Sequence, residues 1–273
     1  MNQAERLQAF RADYSNRSLN AGGVQWNYRI CGGGTRTLLM LPGGELVNDM
    51  AFDLVRTLAG PRRVVYPAYP RVDTLADLVS GLVAILDAEK VSVTGVLGLS
   101  FGGAVAQCLV RRHPERIERL ILSNSGVPLS HLVRKRKIAN AAVSLVPWPV
   151  LRTALARSFT NLLGAPAEEL PFWRSYSRET FGTRLAKADV LSNLRNQLEY
   201  HERYRFSPDD LAAWSGRVFV IESDNDIFGP ARRQALRDTY PQAEVCTFHG
   251  AGQAPAFSRA GEYLQVLDRF LAS

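Results

Sequence analysis

The chain has 273 residues, of which 46% are hydrophobic and 22% charged, and its formal net charge is +7. This is the make-up of a globular protein with room for one large α/β domain or two small ones. No apolar run approaches the roughly 20 residues that span a bilayer. The stretch from Met1 to Arg17 is polar with both charges, unlike a secretory signal or transit peptide, and a cytoplasmic location is expected.

Cys31, Cys108 and Cys246 lie far apart in apolar segments, as reduced core thiols would, and no metal-type spacing occurs. The excess positive charge is mostly arginine and has one dense run, Arg134-Lys135-Arg136-Lys137. Without interleaved aromatic residues that run reads as a solvated helix face, and no nucleic-acid partner is expected.

Val24 to Ile30 alternates apolar and polar residues, which predicts a half-exposed strand. Thr37 to Leu41, ending at Pro42-Gly43-Gly44, and Arg63 to Tyr66 are short apolar runs suited to buried strands. Thr74 to Ala88 has leucines and valines at helical spacing with Thr74 as N-cap. Val91 to Leu97 predicts a strand, Ala104 to Arg112 a helix, and Arg119 to Ser123 another strand. Arg217 to Ile221 and Glu244 to Phe248 are further strands, each followed by a helical stretch, and Arg259 to Leu271 closes the chain as a helix. Alternating strands and helices imply a mostly parallel sheet with helices on both faces.

From Val127 to Asp210 the pattern is interrupted by helical stretches containing Trp148, Phe159, Phe172 and Trp173, with no strand. This reads as a helical lid over the strand ends, where ligands of open parallel sheets bind. The organisation expected is core 1–126, lid 127–210 and core 211–273.

Gly98-Leu99-Ser100-Phe101-Gly102-Gly103 stands between a strand and a helix, the context of a nucleophile elbow. With this placement the chain resembles an α/β-hydrolase-fold protein from about Val24 to its end. The resemblance implies that Ser100 is the nucleophile, and that the N–H groups of Phe101 and of Gly44, in Pro42-Gly43-Gly44, form the oxyanion hole. Phe219 to Asp226 resembles the strand and loop that carry the family's acid, which assigns Asp226, with Asp224 as competitor.

In the late segment His249-Gly250-Ala251-Gly252-Gln253, the place of the family's histidine is held by Gln253. An amide has no lone pair basic enough to accept a proton near neutral pH. His249, four residues earlier, is the best substitute base; His113, His131 and His201 are weaker candidates. Leu41 to Gly44, Tyr66 to Pro70, Leu122 to Ser125 and the late glycine loop resemble the maspardin-type branch, which implies a partner-binding protein. Three readings stay open: a hydrolase of small esters or related carbonyl compounds, a lyase or cyclase on the same scaffold, and a catalytically silent protein with a protein partner. For the enzyme readings the expected substrate is apolar or of mixed polarity, and no cofactor or metal is required.

Overall fold

The computed structural model describes residues 1–272. Its sheet has eight strands: β1 (Arg17–Ala21), β2 (Val24–Cys31), β3 (Thr37–Leu41), β4 (Arg63–Pro67), β5 (Thr94–Leu99), β6 (Ile117–Ser123), β7 (Arg217–Ser223) and β8 (Glu244–Phe248). Their order is β1-β2-β4-β3-β5-β6-β7-β8. Strand β2 runs antiparallel to both its neighbours, and all pairs from β4 to β8 are parallel.

The helices, in chain order, are α1 (Gln3–Asp13), α2 (Phe52–Leu58), α3 (Leu75–Ala88), α4 (Phe101–Arg112), α5 (Val133–Leu145) and α6 (Trp148–Leu163). They continue as α7 (Leu170–Glu179), which runs into a π-helical turn at Thr180–Arg184, then α8 (Lys187–Arg203), α9 (Pro230–Thr239), the short α10 (Pro255–Ser258) and α11 (Ala260–Ala272). Among the described residues no helix is long and apolar enough to cross a membrane.

The strand alternation decides the packing, because successive side chains leave a strand on opposite faces. Leu39, Leu41, Val65, Val96, Leu120, Leu122 and Val220 enter one core with α3 and α4. Their neighbours Leu38, Met40, Val64, Tyr66, Leu97, Ile121, Phe219 and Ile221 enter the other with α1, α2 and α11. Burial on both faces explains why these strands read as continuous apolar runs. Helix α3 begins as expected: Thr74 accepts the Asp77 N–H and Asp77 accepts the Thr74 N–H, a capping box.

Strand β5 begins at Thr94, three residues after the expected Val91. The Val91 and Ser92 carbonyls accept hydrogen bonds from the Arg116 guanidinium at 2.7 and 2.8 Å instead of entering the ladder. Helix α1 and strand β1 lie in and beside the N-terminal stretch that the sequence marked only as polar. Leu7 and Phe10 nevertheless anchor α1 in a core. The basic run lies on α5, where Lys137 pairs with Glu202 and Arg136 donates to Gln197, while Arg134 and Lys135 are exposed.

Between β6 and β7 the chain is helical, from α5 to α8. This segment is tied to the loop after β3 by Asp49, whose side chain is 1% exposed. Asp49 accepts from Tyr176 Oη at 2.6 Å, Arg184 at 2.9 Å and Arg11 at 2.8 Å. Burial alone would raise its pKa, but the two guanidiniums and the tyrosine hydroxyl hold it below the usual value.

Candidate active site

Strands β3, β5, β6, β7 and β8 end on one side of the sheet, and the residues singled out from the sequence follow those ends. Ser100 caps β5 with φ 50° and ψ −110°, a conformation that a side-chain-bearing residue adopts at a cost of about 1–3 kcal/mol. The elbow glycines make the turn sterically feasible. A Cβ on Gly98 would stand 2.5 Å from Gly102, and one on Gly102 would stand 2.4 Å from the Leu41 carbonyl oxygen.

Ser100 lines a cavity of about 190 Å³ together with Gly43, Gly44, Glu45, Phe159 and Gln253. The remaining wall is mainly apolar, from Met50, Leu99, Leu162, Leu163, Ile227 and the α10 residues Pro255 and Phe257. Of the four aromatic residues noted between β6 and β7, only Phe159 reaches this cavity. Trp173 packs against Phe257 and Phe52, and Phe172 against Phe52. A larger cavity of about 770 Å³ opens between α6 and α7 and is lined mainly by arginine and threonine, with no carboxylate or imidazole.

The N–H groups of Gly44 and Phe101 donate to no other group among the described residues, although the neighbouring Gly43 and Gly103 amides are bonded. Two such free donors beside a serine can stabilise a developing oxyanion. Asn193 Nδ2 donates to the Gly44 carbonyl at 3.4 Å and so braces the Gly44 loop.

Gln253 shares the Ser100 cavity, and both ends of its amide are occupied. Its Nε2 donates to the Asn124 carbonyl at 3.2 Å, and its Oε1 accepts the Ile227 N–H at 3.4 Å. Asn124, itself at φ 43°, also donates to Ser223 and to the Gly252 carbonyl. The amide is thus held between the ends of β6 and β7.

Asp226 is buried next to this contact. Its Oδ1 accepts the N–H groups of Phe228 and Gly229 and a bond from Arg233, each at 3.0 Å, at the start of α9. Its Oδ2 is buried and has no hydrogen-bond partner. The competitor Asp224 is turned outward, where it accepts the Gly250 N–H and pairs with His249 at 2.9 Å.

His249 corrects an expectation. Its side chain is 85% exposed and it does not line the Ser100 cavity. The strand end carries it to the surface beside Asp224. His131 is exposed, and His113 lies near Glu115 at the far end of α4. His201 is buried and its Nδ1 accepts the Leu129 N–H at 3.0 Å. Burial first, then Arg136 and Arg232, push its pKa down to about 3, so it is neutral in solution near pH 7. No imidazole lines the cavity.

Sequence reasoning passed over Glu45. It is 5% exposed, lines the cavity, and accepts the Gly43 N–H through Oε1 at 2.9 Å. Burial pushes its carboxyl up to about 7, against the lowering effect of its backbone hydrogen bonds. An acid directly after Leu41-Pro42-Gly43-Gly44, inside an otherwise apolar run, was the available signal.

A family model described as "Alpha/beta hydrolase family" matches residues 26–266. The chain belongs to the alpha/beta hydrolase family. Two proteins named 2-hydroxymuconate semialdehyde hydrolase are similar to it. One, from Pseudomonas sp. (strain CF600), is 33% identical over 40% of this chain and 43% of its own length. The other, from Pseudomonas putida, is 25% identical over 70% of this chain and 66% of its own length. The chain therefore spans less than two thirds of each relative. A hydrolase from Pseudomonas aeruginosa PA01 shares the fold, with a TM-score of 0.80, 20% identity, and coverage of 95% of this chain and 99% of that one.

Proposed function

We propose that this alpha/beta hydrolase acts on a small ester-type or related carbonyl substrate through Ser100. The observation that carries the reading is the strained elbow serine in the wall of a small apolar cavity, beside two free backbone N–H groups. Attack of the Ser100 hydroxyl on a carbonyl would develop a negative oxygen, which the Gly44 and Phe101 amides would receive. Each such donor is worth about 3 kcal/mol in the transition state. The similarity to hydrolases named for 2-hydroxymuconate semialdehyde supports a small carbonyl compound as substrate.

In this reading Gln253 stands at the family's histidine position, and Asp226 is the family's acid, left without an imidazole to orient. Helices α5 to α8 form a cap over the strand ends, with residues 1–126 and 211–273 as the core. Phe159 and Leu162 bring the cap into the cavity wall.

The test is reaction with a fluorophosphonate probe. Wild type should be labelled in a time-dependent way and Ser100→Ala should not. A second reading, a catalytically silent partner-binding protein, draws on the absence of an imidazole from the cavity. It predicts equal, negligible labelling of both proteins, and that result would overturn the hydrolase reading.

A further inference from the structure

Among the side chains lining the Ser100 cavity, only Glu45 is ionisable near neutral pH. It has no cationic partner among the described residues, although charged side chains this buried are ordinarily paired. Its Oε2 lies 2.7 Å from the point that a Cβ on Gly43 would occupy, and Ser100 Cβ lies 3.5 Å from the same point. The absence of a side chain at Gly43 therefore lets a carboxylate oxygen and the serine Cβ approach the same point.

We propose that Glu45 is the proton acceptor for Ser100, an inference that rests on the hydrolase reading above. As Oγ bonds to the substrate carbonyl carbon, its proton passes to the Glu45 carboxylate, directly or across one water. The carbonyl electron pair moves to the oxygen held by the Gly44 and Phe101 amides. When the tetrahedral adduct collapses, the bond to the leaving-group oxygen breaks and that oxygen takes the proton from Glu45. Hydrolysis of the acyl-serine repeats the sequence with water as nucleophile, and Ser100 recovers its proton from Glu45.

The surroundings suit that task. Tyr66 on β4 and Tyr69 just after it face Glu45 with buried hydroxyls, and that of Tyr69 has no hydrogen-bond partner. Both tyrosines stay neutral, because burial first and Glu45 second raise them well above their ordinary value. Asp49, farther along the loop, is committed to Arg11, Arg184 and Tyr176. Burial brings Glu45 to about 7, the range in which a general base works best at neutral pH. Its basic form prevails above that value, so reactivity should increase with pH.

The experiment compares fluorophosphonate labelling rates of wild type, Glu45→Gln, Glu45→Asp and Ser100→Ala between about pH 5.5 and 8.5, a range bracketing the neutral optimum of a general base. Wild type should show a rate that rises through about pH 7 and then levels. Glu45→Gln should be about 10²–10⁴-fold slower with no such step, and Glu45→Asp should restore part of the rate and the step. A merely structural role for Glu45 would slow labelling equally at every pH and keep the step, which overturns the proposal. So does an unchanged Glu45→Gln.

If Glu45→Gln does not fold, the wild-type Glu45 carboxyl is followed by ¹³C NMR. Ionisation near 7 that shifts when Ser100 is phosphonylated supports the proposal, and ionisation at the ordinary value of about 4.3 overturns it. Labelled wild type with unaffected Glu45→Gln removes this inference alone. Wild type that is labelled no faster than Ser100→Ala removes the hydrolase reading and this inference together.

Discussion

Gln253→His supplies the cavity with the imidazole it lacks. In the triad that the family pattern assigns, Nδ1–H would pair with Asp226, whose Oδ2 is buried and unpartnered, and Nε2 would face the cavity that Ser100 lines. A positioned general base contributes about 10²–10⁴-fold, or about 3–5 kcal/mol of barrier. The lower end is expected here, because Arg233 already neutralises part of the Asp226 charge that would stabilise the imidazolium.

The exchange also removes the Gln253 bonds to Asn124 and Ile227, both long at 3.2 and 3.4 Å. Each is worth about 0.5–1.5 kcal/mol, and pairing the orphan Asp226 oxygen offsets much of that loss. Stability should therefore change by no more than about 2 kcal/mol. The assay is kcat/KM for p-nitrophenyl acetate on wild type, Gln253→His and Gln253→His/Ser100→Ala. A rise of about 10²-fold that vanishes with Ser100→Ala is the expected result. With the fold intact, no rise would mean that Ser100, Asp226 and position 253 are not aligned as a triad, and a rise that survives Ser100→Ala would place the new chemistry elsewhere. With a second base present, adding Glu45→Gln should cost less than it does in the wild-type background.

Asp49→Ala should destabilise the fold by about 3–5 kcal/mol in denaturant titration, because it leaves Arg11 and Arg184 facing a void; a loss under 1 kcal/mol would mean that the ion pairs are merely solvated surface contacts. Because the folded-state pKa of Asp49 is depressed, its contribution is present above the unfolded value of about 3.9 and disappears as pH falls through the lower folded value, a step that Asp49→Asn should remove from the acid-unfolding curve. His201 also has a depressed pKa, so its stabilising effect is complete above the unfolded value of about 6.5 and is lost as pH falls toward about 3. Its ring NMR signals should stay in the neutral form from pH 8 to 5; a midpoint near 6.5 for His201 would refute its burial as the controlling effect.

Much of the fold was legible because its causes are local. Apolar runs marked the buried strands, Thr74 marked the start of α3, and the glycines around Ser100 marked a turn with no space for Cβ atoms. The start of β5 was not legible, because Arg116, more than 20 residues away, takes the carbonyls that Val91 and Ser92 would have given to a ladder. Helix α1 was missed because only Leu7 and Phe10 carry its burial within a polar stretch.

The site divides along the same line. The elbow motif and the family resemblance assigned Ser100, Gly44, Phe101 and Gln253 to strand ends that a parallel sheet gathers on one side, and Ser100, Gly44 and Gln253 line one cavity. His249 and Gln253 are only four residues apart in sequence, yet one is at the surface and the other in the cavity wall, since the chain turns through Gly250 and Gly252 at positive φ between them. Glu45 was passed over in the sequence. Side-chain type and spacing determine which chemistry a chain carries, whereas burial without a counter-charge is a property of the assembled fold. For that reason the elbow serine could be read from the sequence, while the buried carboxylate in the same cavity wall emerged only from the tertiary structure.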